Sequence, residues 1–264
     1  MRRVARSLIL HELSERTRDR WVLVISVLFA VLASAVTLYG RSAGAKAVGL
    51  TGPSLVTLAS LFVPLVALIL SHDAIVGESE RNTLGLLLSL PIGRMEMVWA
   101  KFIGRGLALS AAVLLGFGSA GIFAGAVSRQ VLWPLLLPTL LLGLAFLSLG
   151  LLLSVLYKRQ VSAASAVVVV WFVLVFFYDL GLLGVLVISD GAVSQGVMRT
   201  LVLANPAGLF RMQMMEVFIG TQGLEQLGLT ARVPSLGVLA ALWSVWIVGP
   251  VLLGGWILLR KKVI

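Results

Sequence analysis

Cysteine is absent from the chain, which excludes disulfides and thiolate metal ligands. Histidine is scarce. His11 and His72 are the two present, and both stand beside charged residues outside the long apolar runs. Ser119, deep in one such run, therefore has no visible base to activate it. No H-x-x-H or E-x-x-H pair occurs, so zinc-hydrolase chemistry lacks its usual ligands. None of the lysines follows a glycine, which removes the phosphate-cradling P-loop and nucleotide hydrolysis by that route. Charge is sparse as well. Asp, Glu, Lys and Arg make up 12% of the chain, against about a quarter of an ordinary soluble domain.

What is present is grease. Hydrophobic residues are 59% of the 264, and the mean hydropathy is +1.07. A soluble fold of this size could not hide so much apolar surface, so the composition predicts an all-α integral membrane protein with a single membrane domain over 1–264. The net charge of +10 does not point to nucleic acid, because the basic residues are not interleaved with aromatics in a patch. They gather at the ends of apolar runs, as membrane orientation requires.

Six spans are predicted, at 21–39, 53–70, 107–127, 131–157, 161–189 and 236–259. The first is close to the ~20 residues that cross the hydrocarbon core. Trp21 and Tyr39 mark its ends as interfacial aromatics. Ala33-Ser34-Ala35 has the form of a signal-peptidase site, but the acid-bearing leader 1–20 is a poor signal n-region, so this span is expected to be retained. The fourth and fifth are longer than a bilayer needs and must tilt or break. Residues 1–20, with Val4, Leu8, Ile9 and Leu13 near one face, predict an amphipathic helix on the membrane surface. Residues 190–235 form the longest connection, and the pattern of LVLANPAGLFRMQMMEVFIG predicts helices dipping back into the membrane. No internal repeat is visible. Fifteen of the 21 Lys and Arg fall on one side of this topology, which places both termini, 71–106 and the Lys158-Arg159 turn in the cytoplasm.

Several motifs have bland readings. Gly116 to Gly121 matches G-x-G-x-x-G, but it lies inside a span and not in a βαβ unit, so it reads as close helix packing. Asp179, beside Tyr178, is the one acid well inside a span. It either lines a path for cargo or protons or hydrogen-bonds a neighbouring helix. Met212, Met214 and Met215 offer soft thioethers that suit Cu(I), or simply fill an apolar helix.

The remaining stretch, 78–101, is charged and held between two apolar runs. Glu78, Glu80 and Thr83 suit a helix start, since carboxylates favour its positive end. Leu84, Leu87 and Leu88 supply an apolar face, and Pro91-Ile92-Gly93 ends it before Arg94. A short helix over 78–90 either docks in a groove of another protein or rests on lipid.

This stretch resembles the permeases of ABC-2 type transporters, whose pattern is roughly E-x-E-x-G-T-L-x-x-L-L-S-x-P-I-x-R followed by a lysine. Glu78, Glu80, Thr83, Leu84, Leu87, Leu88, Ser89, Pro91, Ile92, Arg94 and Lys101 match, and Asn82 replaces the glycine. The resemblance implies that 78–90 is a coupling helix, with Arg81 among its contact residues, pressed by a separate P-loop ATPase subunit. ATP and Mg²⁺ would sit on that subunit. This chain would bind no cofactor directly and be no enzyme by itself. Within the family, SHDAIVGESE, FFYDLGLLGVLVISDG and LANPAGLFRM resemble the permeases that serve nitrous-oxide reductase maturation. That implies a homodimer in the bacterial inner membrane, a periplasmic accessory protein, and copper or a sulfur species as cargo. The alternatives are an ABC-2 permease for another cargo, an ion-coupled secondary transporter, and a non-transporting membrane anchor that signals or scaffolds. A secondary transporter would place several ionisable or broken-helix features at the midplane.

Overall fold

The structure is a computed structural model. It describes residues 2–17, 45–89, 91–123, 126–226 and 234–261, with single positions between 27 and 38. The predicted span at 21–39 therefore lies largely outside the described residues. Those described are helical or in turns. Helix α1 is Arg2–Thr17 and α2 is Ala45–Ser71. Two short helices follow, α3 (Val76–Glu80) and α4 (Leu84–Ser89). Long helices α5 (Arg94–Phe123) and α6 (Ala126–Leu156) come next. Helix α7 (Gln160–Phe172) runs through a π turn, Val173–Phe177, into α8 (Tyr178–Ile188). Helices α9 (Gln195–Leu203), α10 (Pro206–Gln226) and α11 (Leu236–Arg260) complete the order.

Among the described residues, five helices are long and apolar enough to cross a membrane. Helix α6 is the axis of the bundle, packed on α2, α5, α10 and α11. Its Gly143 admits Leu109 of α5 and Val63 of α2; a Cβ there would lie 2.9 Å and 3.1 Å from their side chains. Small residues of this kind let membrane helices approach closely. Polar cross-bonds pin the layers. Ser148 Oγ donates to Trp246 O at 2.8 Å, and Trp171 Nε1 donates to Leu61 O at 2.9 Å. Burial is uneven. The spans Gly52–Glu80, Arg94–Ser119 and Leu132–Leu156 are 56% to 61% buried, whereas Gln160–Ile188 is 11% buried and Leu236–Arg260 17%.

Two expectations are revised. The third span does not begin at 107. Helix α5 starts at Arg94 and carries Lys101 and Arg105 inward, both buried. The helix expected over 78–90 is two pieces, because Asn82 adopts a left-handed conformation (φ 57°). There Asn82 N and Thr83 N bond back to Ser79 O and Glu78 O at 3.2 Å and 3.0 Å. Asparagine is the residue besides glycine that tolerates this conformation at a helix end, so the departure at this position keeps the turn. The fifth span, expected to tilt or break, carries the π turn Val173–Phe177, a local way for a helix to absorb an extra residue. In 190–235, α9 and α10 occupy the places where helices are expected.

Candidate functional site

The mouth of the bundle at the α2–α5 end is built on charge. Lys101 and Arg105, one turn apart on α5, are 0% and 2% exposed. Lys101 Nζ bonds Glu12 Oε1 of α1, and it reaches Glu78 Oε1 of α3 at 3.1 Å. Arg105 Nε bonds Glu12 Oε2 at 3.0 Å, and its Nη1 bonds Asp73 Oδ1 at 2.5 Å and Leu70 O at 2.7 Å. Buried charges persist only when paired and hydrogen-bonded in this way. Burial pushes the Glu12 carboxyl up, but Arg105 and Lys101 outweigh it and hold the group below the usual carboxylate range. Gly104 lets α1 lie flush, since a Cβ there would stand 2.6 Å from Glu12 Cβ and 2.9 Å from Ile9 O. Helix α1 thus buries Leu8 and Glu12 against protein; Ile9 and Leu13 pack alongside.

The α3–α4 turn is tied inward by its polar residues. Glu78 takes the Thr83 hydroxyl on its second carboxylate oxygen. Glu80 Oε1 accepts from Gln160 N, the first amide of α7, at 2.9 Å. Ser154 Oγ of α6 accepts from Ile75 N and Val76 N at 2.8 Å and 3.1 Å. Leu84 is buried and Leu87 packs on the core. The other side of the turn faces out: Arg81, Gly85, Ser89 and Pro91 are exposed, and Leu86 is 70% exposed. Arg94 turns the opposite way. Its Nη1 bonds the carbonyls of Leu258, Leu259 and Lys261 at 2.9, 3.3 and 2.8 Å, where α11 ends. A cation there satisfies orphan carbonyls and the negative helix end. Lys261 Nζ in turn bonds Val155 O; burial and the neighbouring Lys158 lower its pKa.

A second polar cluster lies at the π turn and the start of α8, midway along Gln160–Ile188. Asn205 Nδ2 donates to Leu174 O, a carbonyl of the π turn, at 2.7 Å. Its Oδ1 accepts from Ala207 N at 3.1 Å, so Asn205 is the N-cap of α10 and Pro206 its first residue. Tyr178 OH donates to Leu201 O at 2.6 Å. Arg211 Nη2 bonds Asp179 Oδ1 at 2.7 Å. Met214 is buried and Met215 is exposed, with Met212 between these extremes. Among the described residues, no three His, Cys, Asp or Glu side chains group as a metal site.

Of the residues singled out in the sequence, the structure joins Thr83 to Glu78 and Glu78 to Lys101, sets Glu80 on α7 and Arg94 on α11, and leaves Arg81 and Pro91 at the surface. The Leu88 side chain lies outside the described residues. Sequence reasoning missed Glu12, Asp73 and Arg105 as one cluster, and missed Gln160 and Arg211 as partners. The available signals were an acid beside the apolar face of α1, and two cations one turn apart in a helix with apolar flanks.

Comparison with known proteins places this arrangement. A family model described as ABC-2 family transporter protein matches residues 6–263. A probable ABC transporter permease protein NosY of Pseudomonas aeruginosa is 38% identical over 249 residues, covering 88% of this chain and 90% of the relative. A protein of the same name in Stutzerimonas stutzeri is 38% identical over 247 residues, covering 88% of each. An apolar helical bundle, with a folded charged turn between its α2 and α5 helices, is the arrangement on which these likenesses converge: the chain belongs to the ABC-2 transporter family, as a multi-pass permease subunit of an ABC transporter.

Proposed function

We propose that this permease subunit works as a homodimer driven by a separate cytoplasmic P-loop ATPase, which holds ATP and Mg²⁺ and docks on the α3–α4 turn. Both termini lie in the cytoplasm of a bacterial inner membrane. The assembly serves the copper clusters of nitrous-oxide reductase, moving a copper or sulfur species or passing ATP-driven motion to a periplasmic accessory protein. The NosY name of both relatives supports that role.

The observation that carries the ATPase part is the two-sided turn. Its inner side is fixed by Glu78, Thr83, Glu80 and Leu84, while Arg81, Leu86 and Pro91 face outward. A short helix with one locked and one free apolar-and-charged side suits a groove in a partner. The sparse burial of Gln160–Ile188 supports a second copy or lipid along that face. Asp179 and Tyr178 remain path candidates, although the ion pair and the Leu201 bond favour their role as ties to α9 and α10. Co-purification tests the reading: the chain brings down a P-loop ATPase, and Glu80→Ala with Arg94→Ala removes the ATPase response to permease reconstitution. An unchanged response in the double variant would overturn the coupling role of this turn.

A further inference from the structure

Helix α11 ends in a knot of positive charge. Arg260 and Lys261 close the helix, and Lys158 stands in the turn that follows α6. Lys261 Nζ bonds Val155 O in the last turn of α6, so the two helix ends and their cations meet at one place. Lys158 and Arg260 are exposed and Lys261 is half-buried. The ion pairs among the described residues include none of the three. Burial, and then the like charge of Lys158, push the Lys261 ammonium down. The end of α11 does not require these cations as caps. Arg94 already takes the carbonyls of Leu258, Leu259 and Lys261, the usual task of a cation at a helix C-terminus. Orientation in the membrane asks for cations on this side, but not for cations crowded into one spot.

Toward the middle of the span the surface turns apolar. Leu252, Leu253, Trp256 and Leu259 are 46% to 52% exposed. Their spacings of three and four put them on one face of α11 with Arg260. Leu252 to Leu259 covers about 10 Å of helix. The Arg260 guanidinium lies 3.8 Å over the Trp256 ring, which holds its charge at the level of an interfacial aromatic. The second copy proposed above is placed on Gln160–Ile188. Helix α11 is a different element, packed on α5 and α6. A second copy lying parallel in the membrane would also bring its own basic end, and so add repulsion here. The covering that matches a cationic top and an apolar length is an amphiphile with an acidic head.

We infer that the ends of α6 and α11 form a binding site for an acidic glycerophospholipid, with the phosphate headgroup between Lys158 and Arg260 and an acyl chain along Leu259, Trp256 and Leu253. Basic pockets between membrane helices suit such headgroups. The bound lipid relieves the repulsion between the two helix ends and ties the α6–α7 turn to α11.

Native mass spectrometry of the full-length chain in detergent tests the site, with phosphatidylglycerol, phosphatidylcholine and inorganic phosphate as probes. Phosphatidylglycerol is expected to bind the natural chain more tightly than phosphatidylcholine does, and inorganic phosphate is expected not to displace it. A basic residue beside an acidic headgroup is worth about five-fold in affinity, so Lys158→Gln with Arg260→Gln is expected to lose about thirty-fold. Lys158→Arg with Arg260→Lys keeps both charges and is expected to retain binding, which separates loss of the site from loss of the fold. Arg6→Gln with Arg81→Gln removes two exposed cations elsewhere and is expected to leave binding unchanged. Equal binding of the two lipids, displacement by inorganic phosphate, or an equal loss in the Arg6 and Arg81 pair overturns the site. In the cysteine-free background, an oxidant-dependent dimer of Leu252→Cys also overturns it, because a second copy would then cover this face. Loss of ATPase co-purification in the Lys158 and Arg260 glutamine pair does the same, by assigning those cations to the ATPase.

Discussion

Single side chains decide how α1 sits. Glu12 is the acid that two buried cations share, so Glu12→Gln leaves Lys101 and Arg105 short of charge in a dry site. Removing one partner of a buried pair costs about 3–5 kcal/mol, and the Glu12→Gln protein is expected to unfold earlier on heating in detergent at neutral pH. The pH dependence has a definite sign. Glu12 has a depressed pKa when folded, so its stabilisation is present above the ordinary carboxylate pKa and is lost as pH falls through the depressed value. Melting curves of the natural chain and Glu12→Gln should therefore converge on acidification. Divergence at low pH would assign the stability to another group. Gly104→Ala probes the same seam from the α5 side. Its methyl would overlap Glu12 and the Ile9 carbonyl, an overpacking worth about 1–3 kcal/mol, read as early protease cleavage of the α1 segment.

Among elements, the α3–α4 turn shows what a pattern can and cannot give. The polar and apolar alternation of 78–90, with Pro91-Ile92-Gly93 behind it, made a short amphipathic element legible. The break at Asn82 was not, because a left-handed residue depends on the carbonyls waiting at Ser79 and Glu78. Asn82→Gly is expected to be nearly neutral, whereas Asn82→Val is expected to destabilise by about 1–2 kcal/mol, measured as a shift in detergent melting. The apolar runs likewise gave the long helices to within a few residues at α6, α7–α8 and α11. The start of α5 escaped, because Lys101 and Arg105 read as solvent-facing charges. Their neutralisation by Glu12, Asp73 and Glu78 comes from segments far away in sequence, and no local periodicity encodes such a meeting. The ties of Asp179 to Arg211 and of Asn205 to the π turn are hidden for the same reason. For α10, Met212, Met214 and Met215 changed together to Leu separate packing from thioether chemistry. Retained loading of the target metalloenzyme would end a copper role at these positions.

At the scale of the whole molecule, the thinly packed spans Gln160–Ile188 and Leu236–Arg260 leave large apolar faces for lipid or a second copy. Leu183 is 60% exposed on α8. In the cysteine-free background, Leu183→Cys is expected to give an oxidant-dependent dimer on denaturing gels if the proposed homodimer meets there; a band that stays monomeric would move the interface elsewhere. The clamp of Arg94 on α11 also has a consequence for how the protein is made. The guanidinium is separated by 164 residues from the Leu258 carbonyl it grips. At the usual 5–20 residues per second of synthesis, roughly ten to thirty seconds pass on the ribosome before that acceptor exists. Throughout that interval the guanidinium must be hydrated at the membrane boundary. The seam between α5 and α11 therefore closes late in biogenesis, and a nascent chain stalled before residue 258 would display an open, chargeable edge to the cell's membrane proteases.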